Sequence, residues 1–275
     1  MSGNVTSAKA IDKALGAGRS SLITYLPVGF PSVEGTIAAA KAAIAEGTDV
    51  VELGLPYTDP MMDGDTIQKA VEHALGRGTR VTDVLRAVEE VADTGAAVLV
   101  MTYWNPIFRY GVERWAREFS SAGGAGLITP DIIPEEADDW IAASDEYDLD
   151  RVFLVAPSST PQRLKLTAAA SRGFVYAAST MGVTGERANV GGAAEKLVAD
   201  TRAAGAKRVC LGLGVSTAEQ AREIATYSDG VIVGSAYVRA ILETADASGS
   251  FDTAAAARAA GELSARLRSG IEAAQ

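Results

Sequence analysis

The sequence predicts an α/β fold: a single (β/α)8 TIM barrel with additional N-terminal and C-terminal helical segments, residues 1–275 forming one domain. Two observations carry this expectation. Short Val/Ile/Leu-rich runs alternate with longer segments of helical period, the pattern of a parallel sheet covered by helices. There are eight such runs in a chain of 275 residues, a length at which α/β barrels occur as one domain. A doubly wound open sheet is the competing architecture, but eight β-α units suit closure better.

The expected strands cover residues 22–26, 50–53, 97–101, 126–128, 151–155, 173–177, 208–211 and 230–233. After the first, Ile37, Ala40 and Ile44 share one helical face; after the second, Ile67, Val71, Ala74 and Leu75 share another. The second and third strands lie unusually far apart, which leaves room for a long loop and two helices and suggests a functional loop. Later helices carry start signals: Pro134 before Glu135 and Glu136, Thr160-Pro161, and Ser216 with Glu219 as a capping-box pattern. The Ala-rich tail from residue 251, with Leu263 and Leu267 at helical spacing, predicts a last helix outside the barrel.

Composition narrows the function. A net charge of -10 without a run of Lys and Arg argues against a nucleic-acid surface. Cys210 is the sole cysteine and His73 the sole histidine, which leaves no internal disulfide and makes the usual structural zinc sites an unsuitable reading. Residues 1–16 lack the apolar run of a secretion signal, and no later run is long enough to span a bilayer, so a cytoplasmic protein without membrane attachment is expected.

In a barrel of this kind chemistry sits where strands end. The second strand ends Val51-Glu52-Leu53-Gly54 and its loop runs through Pro56 and Asp59-Pro60 to Asp63-Gly64-Asp65. Alternation aims Glu52 into the barrel, where an ionised carboxylate is costly unless paired or used, and desolvation raises its pKa toward a value useful for proton transfer. A buried structural ion pair is the plainer account of Glu52, and a turn-forming role the plainer account of Asp63.

The last two strands pass through glycine into helix starts, Gly212-Leu213-Gly214-Val215-Ser216 and Gly234-Ser235-Ala236. Bare amide groups at a helix N-terminus suit a phosphate dianion, and the position after strands seven and eight is a recurrent barrel phosphate site. A Gly-containing segment after the sixth strand, residues 179–185, reads either as a closing loop or as a plain connection. His73 reads as a surface or packing residue rather than a catalytic base, Trp104, Trp115, Trp140 and Cys210 as packing residues, and Glu89, Glu90, Asp138 and Asp139 as a solvated face.

Taken in order, the loop motif 51–64, Tyr25-Leu26-Pro27-Val28-Gly29-Phe30-Pro31, Pro130-Asp131, Gly182-Val183-Thr184-Gly185, Gly212-Leu213-Gly214-Val215 and Gly234-Ser235-Ala236 resemble the tryptophan synthase alpha subunit family. The resemblance implies a carbon-carbon lyase that cleaves indole-3-glycerol phosphate to indole and glyceraldehyde 3-phosphate. By it, Glu52 matches the general acid-base and Asp63 the second catalytic carboxylate. Tyr25, Leu127 and Tyr176 fall in the indole pocket, Thr184 supports Asp63 from the sixth loop, and Gly185, Gly214, Gly234 and Ser235 hold the phosphate. No metal or organic cofactor is implied in this chain; pyridoxal phosphate belongs to a partner beta subunit, two alpha with two beta.

Where most relatives have Pro after Asp-Gly, this chain has Asp65, which adds charge and flexibility beside Asp63; Thr180 and Met181 stand where many carry an Arg-containing run. A self-sufficient lyase independent of the beta subunit, and a catalytically impaired ligand-binding activator of it, are the alternatives.

Overall fold

Strand β1 (Ser21–Pro27) pairs in parallel with β2 (Val50–Gly54), β2 with β3 (Ala97–Met101), and β3 with β4 (Gly126–Thr129). The series continues through β5 (Asp150–Val155), β6 (Val175–Ala178), β7 (Val209–Gly212) and β8 (Gly230–Val233), and β8 returns to β1 to close the barrel. The computed structural model describes residues 5–178 and 187–274. All eight strands stand where the alternation of apolar runs puts them, within two residues at each end.

Helix α1 (Ser7–Gly16) precedes the barrel and α2 (Val33–Ala45) follows β1. The expected pair, α3 (Asp65–Gly76) and α4 (Val81–Ala92), follows β2. Next come α5 (Trp104–Tyr110) and α6 (Val112–Ser121), α7 (Asp138–Glu146), α8 (Pro161–Ala170), α9 (Arg187–Ala203) and α10 (Ala218–Ala225). After β8 the chain forms α11 (Ser235–Leu242) and the tail helix α12 (Thr253–Glu272), which buries Leu263, Leu267 and Ile271 against the outer layer. Among the described residues no helix is long and apolar enough to cross a membrane.

Two hydrophobic layers follow from the two-residue period of the strands. Ile23, Val50, Ala97, Leu99, Ile128, Val152, Cys210 and Ile232 pack together inside the barrel. Leu22, Val51, Leu53, Val98, Val100, Leu127 and Val231 belong to the larger layer between strands and helices. Helix α1 closes the end opposite the βα loops: Ile11 enters the inner layer, and Ser7 donates through its N–H and Oγ to Asp150 Oδ2 at 2.8 and 2.6 Å. Trp115, Trp140 and Cys210 are fully buried packing residues, as expected.

Three local expectations shift. The sixth strand begins at Val175 rather than at residue 173, because Arg172 exchanges backbone hydrogen bonds with Arg151 in an antiparallel bridge before the chain turns parallel. Pro134 opens only a 3-10 turn, Pro134–Glu136, and α7 starts afresh at Asp138. The capping box of α10 is Thr217 with Gln220, one residue on from Ser216 with Glu219, whereas Ser216 donates its N–H to the Gln220 side chain at 2.9 Å.

Gly126 tests the tightness of the β4–β5 junction: a Cβ there would stand 2.2 Å from the Asp150 carbonyl oxygen. Gly126→Ala is expected to destabilise by about 3 kcal/mol through overpacking. Gly76→Ala, at a helical site with nothing within 4 Å, is expected to stabilise by about 0.5 kcal/mol. Urea denaturation of the two variants checks both signs.

Candidate active site

Glu52 lies between inward-facing Val50 and outward-facing Val51 and Leu53, so its side chain joins the barrel interior, in register with Tyr25 on β1 and Leu99 on β3. It is 0% exposed, and among the described residues neither carboxylate oxygen has a hydrogen-bond partner. Desolvation, with no compensating cation, pushes its carboxyl up to about 8 from the usual 4.5. At neutral pH Glu52 therefore holds a proton in an apolar cage, a state suited to a general acid rather than to a structural ion pair.

Asp63 is held differently. It lies half-buried on the loop between β2 and α3, and the Tyr103 hydroxyl donates to its Oδ1 at 3.0 Å. Burial raises its pKa while the Tyr103 hydrogen bond opposes the rise. Only one of the two carboxyl groups thus has a partner that favours its anion, which is the differentiation an acid and a charge-stabilising base require. Tyr103 also accepts the N–H groups of Met61 and Met62 at 2.9 and 2.8 Å, and Gln68 donates to the Asp63 carbonyl at 2.7 Å. Asp65 is the first residue of α3. A helix N-terminus accepts either proline or an acid there, so its charge meets the helix dipole and the helix starts without a break.

Two tyrosines stand close enough to Glu52 to feel its charge, Tyr25 beside it in register on β1 and Tyr176 on β6. The Tyr25 hydroxyl lies over Gly54 at the end of β2, so close that a Cβ on that glycine would meet it at 2.3 Å, while its ring edge lies beside Gly234. On β6 the Tyr176 hydroxyl covers Gly212 at the end of β7 in the same way, at 2.5 Å. Burial raises both phenols well above the ordinary tyrosine range, and the Glu52 charge adds to the rise, so both remain neutral hydroxyls.

Leu127 does not face the barrel interior. It pairs with outward-facing Val100 and packs in the layer between barrel and helices, whereas its neighbour Ile128 pairs with Met101 and joins the inner cluster. With a side-chain period of two, a shift of one residue changes the face. Sequence reading also missed Tyr103, Met101 and Leu154, the last two packed on the inner cluster. Alternation carried across the sheet by strand register from Glu52 gives these inward positions once the pairing is known, and nothing local to Tyr103 announces its bond to Asp63.

After β8, Gly234 is the N-cap residue of α11 and Ser235 its first helical residue. Their amides, with that of Ala236, belong to a first turn that has no intrahelical acceptor to offer, which makes an anion-accepting end. Gly214, in the exposed loop after β7, stands beside it in the barrel order. Thr184 and Gly185 lie outside the described residues.

The sequence profile of the tryptophan synthase alpha chain matches residues 11–267. The chain is 51% identical over 269 residues to the tryptophan synthase alpha chain of Thermobifida fusca, covering 97% of each protein. The chain belongs to the tryptophan synthase alpha chain family. To the Mycobacterium marinum member it is 57% identical over 230 residues, 84% of this chain and 86% of the relative. Among solved structures, a ligand-free tryptophan synthase from M. tuberculosis superposes with a TM-score of 0.85 at 47% identity, over 97% of this chain and 99% of that one. The alpha subunit from Legionella pneumophila gives 0.87 at 28% identity, over 98% and 99%. The activity of the family is carbon-carbon lyase chemistry, the cleavage of indole-3-glycerol phosphate to indole and glyceraldehyde 3-phosphate.

Tyr103→Phe removes the hydroxyl that steadies the Asp63 anion and gathers the Met61 and Met62 amides. The expected result is a fall in kcat of about ten-fold and an acid limb of the pH profile moved to higher pH, because the surviving influence on Asp63 is burial. A profile that matches wild type on its acid side contradicts the assignment.

Glu52 also makes stability depend on pH in a defined direction. Between pH 4.5 and about 8 the folded protein keeps a proton that the unfolded chain releases, so the native state loses stability as pH rises through that window. Glu52→Gln is expected to melt about 5 °C above wild type near pH 9, with a gap that narrows toward pH 4.5. Calorimetric scans across the window check the trend.

Proposed function

We propose that Glu52 and Asp63 perform the cleavage together, with the substrate's phosphate held at the N-terminus of α11. Glu52 gives its proton to carbon 3 of the indole ring, breaking aromaticity and leaving positive charge on the ring nitrogen. Asp63 accepts a hydrogen bond from that N–H, which strengthens as the charge develops. The Glu52 carboxylate then takes the proton of the adjacent side-chain hydroxyl; the O–H electron pair forms the aldehyde, the carbon-carbon bond breaks, and its electrons restore the indole. Glu52 ends protonated, ready for another turn.

The observation that carries this reading is the fully buried, proton-holding Glu52 on the inner face of the barrel, unpaired among the described residues. Gly214, Gly234 and Ser235 anchor the phosphate by amides and a hydroxyl, which suits a chain of net charge -10 that needs a local site for an anion. Gly185 and Thr184 complete the phosphate and Asp63 contacts in this reading. Tyr25 and Tyr176 line the indole pocket with Ile128, Met101 and Leu154 in the place first given to Leu127.

The reading includes a cytoplasmic enzyme working with a beta subunit, two alpha with two beta, with pyridoxal phosphate resident on the partner alone. Solved relatives include an aminoacrylate-bound tryptophan synthase from M. tuberculosis. Exposed apolar side chains on three successive βα connections support the partnership: Met61, Met62, Phe108 and Ile133. The βα connections that bear them are tied together, by Tyr103 to the Met61 and Met62 amides and by Asp131, whose carboxylate accepts the Trp104 N–H at 2.8 Å.

The deciding experiment is indole release from indole-3-glycerol phosphate by wild type and Glu52→Gln, with and without a tryptophan synthase beta subunit. Wild-type activity that rises strongly with the partner, and a loss of about 100-fold or more in the variant, are the expected results. High wild-type activity indifferent to the partner points to the self-sufficient lyase, and a substantial rate in the variant removes Glu52 from its role.

A further inference from the structure

Four buried hydroxyl groups join the helix that presents Gly234 and Ser235 to three other parts of the fold. Tyr237 lies in the first turn of α11, 0% exposed, and its N–H bonds the Gly234 carbonyl at 2.9 Å. Its phenol oxygen contacts Ser264 Oγ on α12 at 2.7 Å and accepts from Thr24 Oγ1 on β1 at 3.1 Å. Thr24 Oγ1 in turn contacts Thr48 Oγ1, just before β2, at 2.7 Å, and Ser264 Oγ donates to the Ala260 carbonyl at 3.1 Å. Thr48 Oγ1 also stands 3.3 Å from Ser264 Oγ, so the four hydroxyls close a ring; with Thr48 donating to Thr24, Thr24 to Tyr237, Tyr237 to Ser264 and Ser264 to Ala260, every hydroxyl proton is used and the Thr48–Ser264 pair is left as a polar contact. Such chains reinforce one another in a low-dielectric interior, and each bond is directional where apolar packing is not.

We propose that Tyr237 is a positioning residue for substrate phosphate: its phenol fixes the rotation and depth of the first turn of α11, and so the aim of the Gly234, Ser235 and Ala236 amides. The proposal rests on the reading of that turn as the phosphate site. An anion held by amides and one short-tethered hydroxyl is sensitive to their aim, because these bonds weaken steeply with angle and no flexible Lys or Arg is among the proposed phosphate contacts to follow a displaced ligand. Tyr237 touches no reacting atom in this scheme. Its removal therefore weakens the hold on phosphate without altering the proton transfers at Glu52, some strands away around the barrel.

The test compares wild type, Tyr237→Phe and Ser264→Ala, assayed with the beta subunit well below their melting temperatures. Two competitive inhibitors are read beside KM and kcat: glycerol 3-phosphate, which carries the anion, and 3-(indol-3-yl)propanol, which lacks it. In Tyr237→Phe, KM and the glycerol 3-phosphate Ki are expected to rise roughly five-fold, the factor that goes with one lost hydrogen bond. The expected kcat stays within about two-fold, and the indolylpropanol Ki is unchanged; Ser264→Ala, which removes the acceptor of the phenol, moves the same quantities the same way. A phosphate Ki equal to wild type in both variants overturns the proposal, as does a parallel rise of both inhibitor constants, which marks a general loosening of the barrel. A wild type that glycerol 3-phosphate does not inhibit overturns the phosphate-site reading itself and the role of Tyr237 with it.

Discussion

Desolvation of Glu52 is the interaction on which the catalytic end of the barrel depends. A carboxyl group without hydrogen-bond partners is costly to bury even when neutral and far more so when charged, and Glu52 is tolerated because two hydrophobic layers hold β2 on both faces. Closure of the sheet makes this possible, since no strand is left with an edge through which water could solvate the acid. The stability surrendered at that position appears as a proton kept at neutral pH, which the proposed general acid requires.

The second carboxylate answers the opposite demand. Asp63 sits on a loop rather than on a strand, keeps partial access to solvent, and has a hydroxyl aimed at its oxygen. Tyr103 belongs to the next βα connection, so the geometry of the acid pair is shared between two loops, and Asp131 ties in a third by capping the start of α5. Exposed Met61, Met62, Phe108 and Ile133 lie on these same connections. A partner bearing on those side chains would press on the loops that hold Asp63, which gives a physical route from docking to catalysis without any contact with the reacting atoms.

In the proposed mechanism anchoring and chemistry occupy different strands. Glu52 and Asp63 come from β2 and its loop, while the amides proposed for phosphate come from β7, β8 and α11. Binding energy from a group remote from the reacting bond can then orient the indole without stabilising its ground state at the acid. Tyr25 spans the distance between the two regions, its hydroxyl over Gly54 and its ring beside Gly234.

By itself the sequence determined the elements and their order, because periods of two and 3.6 are written residue by residue: eight apolar runs, two helices after the second, and a tail helix through Leu263 and Leu267. It also determined Glu52, since a carboxylate within an alternating apolar strand has only one face to occupy, and the glycines leading into α11, whose role follows from helix ends in general. Tertiary structure alone decided which face Leu127 and Ile128 take, because a short run such as Leu-Ile carries no mark of its inward member until register with Met101 fixes it. It alone joined Tyr103 to Asp63 across 40 residues and Tyr237 to Thr24 across 213. A hydroxyl in the sequence declares a capacity to bond but no partner, and only closure of the barrel brings the partners within reach.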